Sequence, residues 1–213
     1  EAHVVANNHE LVALREGNLI IQENGSNVVK FNGQLMPRLV RFALWIAYGL
    51  VTMPHLTIPV HTSVITYKGR TVLFLGESGT GKSTHSTLWL KHIAGTYLLN
   101  DDNPIVRVFE GEAVVFGSPW SGKTPCYRNA SSPLKGIVRL SQAPLNRISK
   151  LSALHAYASL MPSCSCLRWD SEATRMLHET VETVISKVGV WSLECLPDND
   201  AARVCREACN GKI

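Results

Sequence analysis

Apolar residues in the first third of the chain come in short runs separated by turn residues, a pattern that predicts β-strands. The clearest case is residues 19–22 and 28–31, which flank an Asn-Gly turn signal and so predict a β-hairpin. After Pro37 the apolar positions take helical spacing, which predicts a helix over residues 35–53. We therefore expect a small β-structure followed by one long helix.

From residue 57 onward, strand-like and helix-like segments alternate along the chain. Strands are predicted at residues 57–67, 70–75, 96–99, 104–109, 112–116, 134–140 and 190–196. Helices are predicted from Lys82 onward, at residues 148–161 and 172–187, and after Asp198, which can cap a last helix ending near Cys209. This alternation is typical of an α/β fold with a mixed β-sheet.

Composition narrows the class of protein. The 213 residues are 45% hydrophobic and 18% charged, and the charged share is below the roughly 25% of an average soluble protein, which excludes a disordered polyelectrolyte. The longest apolar stretch, residues 42–51, is about half of the ~20 residues that span a bilayer, so it predicts a buried helix and no membrane segment. Trp45 and Trp89 occupy apolar helical positions and are predicted to lie in the core.

The net charge is small and positive. Lysine and arginine outnumber aspartate and glutamate by 21 to 17, a net charge of +4. That balance suits a small anionic ligand, but it is too weak and scattered to predict nucleic-acid binding. Because the chain begins at Glu1 rather than Met, its natural start and any targeting segment before it stay open.

Six cysteines raise the question of a metal site. Cys164 with Cys166 and Cys205 with Cys209 could together supply four thiolates to a zinc ion. The spacing of Cys205 and Cys209 also fits one face of a buried helix, which favours packed free thiols. Because a domain of this size needs no disulfides, we expect a reducing, cytoplasmic setting.

Residues 76–83, GESGTGKS, match the pattern G-x-x-x-x-G-K-[ST] completely. The match follows an apolar strand and opens a helix, the context in which glycines can turn the backbone into a nest of N–H groups for an anion. Lys82 is expected to reach the β- and γ-phosphates, and the Ser83 hydroxyl to bind Mg²⁺. The residues expected to bind the nucleotide are Gly76, Glu77, Ser78, Gly79, Thr80, Gly81, Lys82, Ser83 and Thr84.

Residues 117–124, GSPWSGKT, match the same pattern a second time. Here Pro119 has no N–H to donate, and Trp120 is bulky where the backbone would have to approach a phosphate. We expect this segment to be a false match as a nucleotide loop. It is either a structural loop or a border of the site, where Lys123 and Arg128 would add positive charge.

Asp101 and Asp102 follow a predicted strand, one helix after the glycine-rich segment. Parallel strands of α/β sheets gather ligands at their carboxyl ends, so the two segments should face each other. Phosphoryl transfer uses one carboxylate to hold Mg²⁺ and often a second to deprotonate the nucleophile. The alternative interpretation is a simple turn, because the sequence Asn-Asp-Asp-Asn-Pro consists of residues that are favoured in turns.

The glycine-rich segment followed by a helix and an Asp-Asp strand end resembles the HPr kinase/phosphorylase family and its structural relative phosphoenolpyruvate carboxykinase. His61, 15 residues before Gly76, is similar to a histidine on the preceding strand of both families. The resemblance covers roughly residues 57–124. It implies a mixed-sheet catalytic domain with a phosphate-binding loop, which we expect at residues 57–213. From the pattern of apolar residues we expect residues 1–56 to be a β-rich portion that packs on that core, so that the chain is one compact unit.

The resemblance also implies roles for single residues. Asp101 would be the general base toward a serine hydroxyl, and Asp102 would bind Mg²⁺ with Ser83, close to Asp101. His61 would lie near the transferred phosphate. The family further implies ATP or GTP with Mg²⁺, a protein or peptide acceptor, and a homo-oligomer, although no motif marks an assembly surface. The glutamate-containing loop of HPr kinases and their C-terminal signature are not evident here.

Three functions are consistent with these residues. The first is an ATP-dependent kinase resembling HPr kinase that acts on a serine of a protein or peptide, with Lys82 and Mg²⁺ neutralising the γ-phosphate. The second is a carboxykinase-like decarboxylase. The third is a non-catalytic nucleotide-sensing module, which the missing glutamate loop would favour.

Overall fold

The structure, a computed structural model, describes residues 4–7, 9–13, 19–23, 28–33, 35–122, 124–166 and 170–210. Its first part is a four-stranded antiparallel sheet in chain order. The strands are β1 (Val4–Asn7), β2 (His9–Ala13), β3 (Leu19–Glu23) and β4 (Val29–Asn32). The predicted hairpin is confirmed as β3–β4, with Leu19 opposite Asn32; its turn, residues 24–27, lies outside the described residues.

The first helix, α1 (Pro37–Thr52), confirms the helix predicted over residues 35–53. Proline at its start fits because that position needs no backbone N–H. Ala43 and Leu50 are buried against Val29 and Phe31 of β4, so α1 covers the small sheet with its apolar stripe. No helix within the described residues is long and apolar enough to cross a bilayer.

The second sheet has nine strands. They are β5 (Thr57–Pro59), β6 (Thr62–Tyr67), β7 (Arg70–Leu75), β8 (Thr96–Asp102), β9 (Ile105–Phe109), β10 (Glu112–Phe116), β11 (Ser131–Gln142), β12 (Arg147–Lys150) and β13 (Gly189–Cys195). The main path is β5-β9-β10-β11-β7-β6-β8, and β13 joins β11 and carries β12. Strands β7, β11 and β13 are parallel, whereas β6 is antiparallel to both its neighbours, β7 and β8. The predicted mixed α/β fold is therefore observed.

Helices cover both faces of this sheet. They are α2 (Lys82–His92), α3 (Ala153–Leu160), α4 (Ser171–Lys187) and α5 (Asn199–Asn210). On one face Trp89 of α2 and Cys205 of α5 are buried in one hydrophobic cluster. On the other face Leu160 of α3 and Leu177 of α4 belong to a second cluster. The Asp198 carboxylate accepts a hydrogen bond from the N–H of Ala201 at 2.9 Å, as expected for the cap of α5.

Two predicted elements differ from the structure. Residues 57–67 form two strands, because β5 pairs with β9 whereas β6 pairs with β7 and β8, and the chain breaks at Val60 and His61 to change partners. Residues 148–161 are not one helix, because residues 147–150 pair with the edge of β13 as β12. The helix begins only after Ser152, whose side chain accepts from the His155 N–H.

The cysteines pack as separate free thiols. All six are free among the described residues. Cys205 and Cys209 lie on one buried face of α5, as their spacing predicts. Cys164 belongs to the cluster on the opposite face of the sheet, so the four-thiolate zinc site is excluded by geometry.

His85 is a buried histidine of α2, facing the sheet. The Trp89 Nε1–H donates to its Nε2 at 3.1 Å, and its ring meets the Phe74 ring edge to face at 4.7 Å. Burial lowers the pKa of His85 to about 4, so the imidazole stays neutral at pH 7. The unfolded chain therefore binds a proton at this position in a range of pH where the folded chain does not.

We expect this difference to make the protein acid-sensitive. The stabilisation is complete above pH ~6.5 and is lost as the pH falls through the folded pKa. Between pH 7 and pH 4, His85 alone should lower the free energy of unfolding by about 2–3 kcal/mol. His85→Gln keeps an acceptor for Trp89 but cannot be protonated, so urea unfolding of this variant should show a correspondingly smaller loss.

The exposed His55 provides the matched control. His55→Gln should keep the acid sensitivity of the wild type. If His85→Gln and the wild type lose the same unfolding free energy between pH 7 and pH 4, the imidazole is not buried as described.

Candidate functional site

The pairing of three strands brings the sequence-predicted residues to one edge of the sheet. Because β6 is antiparallel to β7 and to β8, the carboxyl ends of β7 and β8 lie at the same edge, together with the start of β6. Gly76 follows β7, Asp101 and Asp102 end β8, and His61 precedes β6. Residues that are up to 41 positions apart in the chain thus meet at one place.

The glycine-rich segment forms a tight loop between β7 and α2. Gly81 has a φ of 105°, a conformation that other residues rarely adopt. The N–H and Oγ1 of Thr80 donate to the Glu77 carbonyl at 3.2 and 2.8 Å, which closes a turn inside the loop. The first bond of α2 runs from the His85 N–H to Gly81, so residues 82–84 have N–H groups with no partner within the helix.

Lys82 lies across this loop. Its Nζ donates to the carbonyls of Gly76 at 2.7 Å and Glu77 at 3.2 Å. Burial lowers the pKa of the Lys82 ammonium, and the carboxylates of Asp102 and Asp101 partly oppose that shift. The structure therefore brings the lysine of the loop within electrostatic reach of both aspartates.

A β-bulge decides which way Asp101 faces. The register between β6 and β8 shifts between Val64 and Ile65, so Leu99 is one extra residue on β8. Downstream of the bulge Asp101 lies opposite Ser63, whose Oγ is hydrogen-bonded to Ser86 of α2 at 2.7 Å. Directly opposite residues share a face, so Asp101 faces α2; without the bulge it would face the other side of the sheet.

Asp101 and Asp102 have different surroundings. Asp101 is 7% exposed, and its carboxylate has no hydrogen-bond partner among the described residues. Asp102 is half-buried; its carboxylate lies 3.0 Å from Nδ1 of His61 and accepts from Nδ2 of Asn103 at 2.8 Å. Asp102 also has a φ of 125°, which strains a residue that carries a side chain.

The second match packs its residues 117–122 against the end of β8, where Ser121 and Asp102 form an isolated β-bridge. The Gly122 N–H and the Ser121 hydroxyl donate to the Asp101 carbonyl at 2.6 and 3.1 Å. A Cβ at position 122 would lie 3.0 Å from that of Asp102, a tight contact that favours glycine at this position. Among the described residues, no helix follows the segment before β11 begins at Ser131. These contacts hold the backbone of the aspartates in place, and we call residues 117–122 the bracing segment.

Lys123 and Arg128 are the two residues expected to add positive charge at the border of the site. Lys123 lies outside the described residues. Arg128 lies over the ring of Tyr97, 5.3 Å from its centre, and lines neither of the clefts described next. The positive charge expected from Arg128 is therefore not brought to these clefts.

Two clefts of about 540 Å³ each are lined by residues from this edge of the sheet. The β13 cleft is lined by Gly79–Gly81 and by residues at the carboxyl ends of β11 and β13, among them Gln142 and Cys195. The α1 cleft lies on the side of β6 and β8. It is lined by Arg38, Arg41, Trp45, His61, Asp102 and Trp120, among others.

The sequence analysis did not predict that α1 contributes side chains to the candidate site. Trp45 was predicted to lie in the core, but it is only half-buried and lines the α1 cleft. The spacing offered a signal, because Arg38, Arg41 and Trp45 recur at i, i+3 and i+7 and so share one face of a helix. Which residues lie opposite this face of α1 depends on the tertiary fold.

The backbone strain at Asp102 can be tested with paired substitutions. Asp102→Gly and Asp102→Ala remove the same carboxylate, but only glycine relieves the positive φ. We expect Asp102→Gly to be about 1 kcal/mol more stable than Asp102→Ala in denaturant unfolding, the reverse of the usual order.

Asp101 provides the control, because it precedes Asp102 on the same strand and has no positive φ. There Asp101→Gly should be less stable than Asp101→Ala by about 0.5–1 kcal/mol. The same order at both positions would contradict a strained Asp102.

The chain was compared with known proteins. No family model matches it, and no curated protein sequence matches it. Among solved structures it is similar to the Hpr(Ser) kinase/phosphatase from Coxiella burnetii, with a TM-score of 0.39 and 12% sequence identity over 72% of this chain and 99% of that chain. This is a distant structural similarity.

Proposed function

We propose that the chain is a Mg²⁺-dependent phosphotransferase that moves the γ-phosphoryl group of ATP or GTP to a hydroxyl group. The observation that supports this best is the position of Lys82, at the start of a helix and within electrostatic reach of two carboxylates. A cation beside unpaired helix N–H groups suits a polyphosphate. Two carboxylates opposite it suit a metal ion and a proton acceptor.

The nucleotide would bind along the glycine-rich loop. Residues 76–84 would hold the phosphates, with Lys82 turning from the loop carbonyls toward the β- and γ-phosphates. The β13 cleft opens from Gly79–Gly81 and has the volume of a small-molecule site, so it is the place for the nucleoside. Its polar side chain Gln142 can contact either purine, which leaves ATP and GTP open.

Oxygen ligands for Mg²⁺ are available at the aspartates. Mg²⁺ prefers one or two carboxylates together with phosphate oxygens, and Asp102, Asp101 and the Ser83 hydroxyl offer this donor set. The His61 and Asn103 contacts hold the Asp102 carboxylate in one orientation. When bound, the ion would supply charge neutralisation on the transferred phosphoryl group.

Asp101 is the proposed general base. Its carboxylate is nearly buried and makes no hydrogen bond to the described residues, so it is available to accept a proton. It would take the proton of the attacking hydroxyl while the bond between the γ-phosphorus and the β–γ bridging oxygen breaks. His61 acts through Asp102 as a positioning residue.

The identity of the acceptor separates the remaining alternatives. A serine of a protein or peptide as acceptor and a homo-oligomer stay predictions from the resemblance, and a cytoplasmic location stays a prediction from the cysteine content. No feature of the described residues favours the carboxykinase-like decarboxylase. A nucleotide-sensing module without turnover would use the same loop, so only turnover distinguishes it from a transferase.

Substitution of Lys82 and Asp101 should separate binding from turnover. Lys82→Gln should weaken MgATP binding by about tenfold or more, because it removes a charge-assisted contact to phosphate. Asp101→Asn should leave MgATP affinity within about threefold and lower ADP release by about 10²–10⁴-fold. Calorimetric titration measures the first quantity, and a coupled ADP assay with water or added acceptor measures the second.

Lys91, exposed near the end of α2, provides the control: Lys91→Gln should match the wild type in both assays. Asp102→Asn should raise the Mg²⁺ concentration needed for nucleotide binding by more than Asp101→Asn does. Nucleotide binding without any ADP release by the wild type would exclude the transferase and leave a sensing module.

A further inference from the structure

The α1 cleft is lined by several parts of the chain. Residues of α1 between Arg38 and Trp45 line one part of it, and Trp120, Ser121 and Ser165 line it as well. His61 and Asp102 contribute the groups that belong to the proposed transfer site. A cleft of about 540 Å³ matches the size of small-molecule sites.

The residues of α1 that line the cleft include two cations near the start of the helix, where positive charge is unfavourable. Arg38 and Arg41 lie in the first turns of α1, and that helix has no acidic residue in its first turn. The helix start already has a partial positive charge, so cations there are destabilising and an anion would be stabilised. The N-cap residue, Met36, provides no side-chain hydrogen bond to the helix start.

Arg41 is held in place without being neutralised. Its Nη2 donates to the carbonyls of Pro119 and Ser121 at 3.4 Å, and the Trp120 Nε1–H donates back to the Arg41 carbonyl at 3.3 Å. No acidic side chain of the described residues pairs with Arg41. The bracing segment thus fixes both the aspartates and an unneutralised guanidinium at the cleft.

The α1 cleft therefore combines groups of opposite charge. Its lining includes His61 and Asp102, which belong to the proposed transfer site, and also Arg38 and Arg41. The rings of Phe42, Trp45 and Trp120 line the same cleft and can cover an apolar carbon chain. A ligand that carries both a hydroxyl and an anionic group can use both sets of polar contacts.

We propose that the acceptor is a small alcohol bearing an anionic oxygen group, carboxylate or phosphate, that binds in the α1 cleft with this group on Arg38 and Arg41. This inference rests on the proposed phosphotransferase function. The acceptor oxygen forms a bond to the γ-phosphorus, and the bond from that phosphorus to the bridging oxygen breaks. The nucleoside diphosphate leaves with the bonding electron pair, and the hydroxyl proton passes to Asp101.

The test compares acceptors of matched size. The full chain with a non-hydrolysable MgATP analogue is titrated with L-serine, glycerate, glycerol phosphate, serinamide, glycerol and a serine peptide with blocked ends, and tryptophan fluorescence reports binding near Trp45 and Trp120. At least one anionic compound should bind about tenfold or more tightly than its neutral partner. Serine and glycerate against glycerol phosphate distinguish a carboxylate from a phosphate. Transfer from radiolabelled ATP to the same compounds should follow the same order.

Substitution of Arg41 tests the contact itself. Arg41→Gln should weaken binding of the preferred anion by about 10- to 100-fold while its neutral partner is unaffected. Arg41→Lys, which keeps the charge, should recover part of the loss. Arg203→Gln, an exposed arginine on α5, should behave as the wild type. MgATP affinity within threefold of wild type in each variant shows that the nucleotide site is intact.

The outcomes separate this inference from the function on which it rests. Without nucleotide binding, the proposed phosphotransferase fails. With nucleotide bound, absence of anion binding, equal binding of the neutral partners, or preference for the blocked peptide overturns the small anionic acceptor and leaves the transferase standing. An anion preference that Arg41→Gln does not reduce also overturns it.

Discussion

The site depends on one constraint, the antiparallel strand β6 between β7 and β8. Because β6 reverses direction relative to both neighbours, the ends of β7 and β8 come to the same edge of the sheet. The glycine-rich loop and the Asp pair can then act on one ligand, although a helix separates them in the chain. Thr62, at the start of β6, ties this edge to β7 through its hydroxyl bond to the Phe74 carbonyl at 2.8 Å.

Several features that reduce the stability of the folded chain lie at this edge of the sheet. Asp102 has a strained backbone, Asp101 has a nearly buried carboxylate without a hydrogen-bond partner among the described residues, and the pKa of Lys82 is lowered by burial. Each feature alone reduces stability, and a hydrophobic core on both faces of the sheet compensates. Strained and desolvated groups of this kind gather where a protein needs groups preorganised for a ligand.

The bracing segment lies at the candidate site, but its role differs from the nucleotide-binding role that its sequence pattern alone would indicate. Residues 117–124 match a nucleotide-loop pattern, yet their backbone donates to Asp101 and contacts α1. Asn100, buried in β8, donates to the Ser118 hydroxyl and the Trp120 carbonyl and so holds the segment from the strand side. The glycines and the small serine serve close approach of the backbone.

The sequence by itself determined the features that depend on neighbouring residues: the hairpin β3–β4, the helix α1, the strand–loop–helix around Gly81, and the Asp pair at a strand end. Local conformational preferences and apolar periodicity are sufficient for these. Only the tertiary structure decided the bulge at Leu99 that turns Asp101 toward α2, the break at His61, and the wall that α1 adds beside Asp102. These depend on which strand or helix packs against which, and such long-range contacts leave no periodic signal in one chain segment.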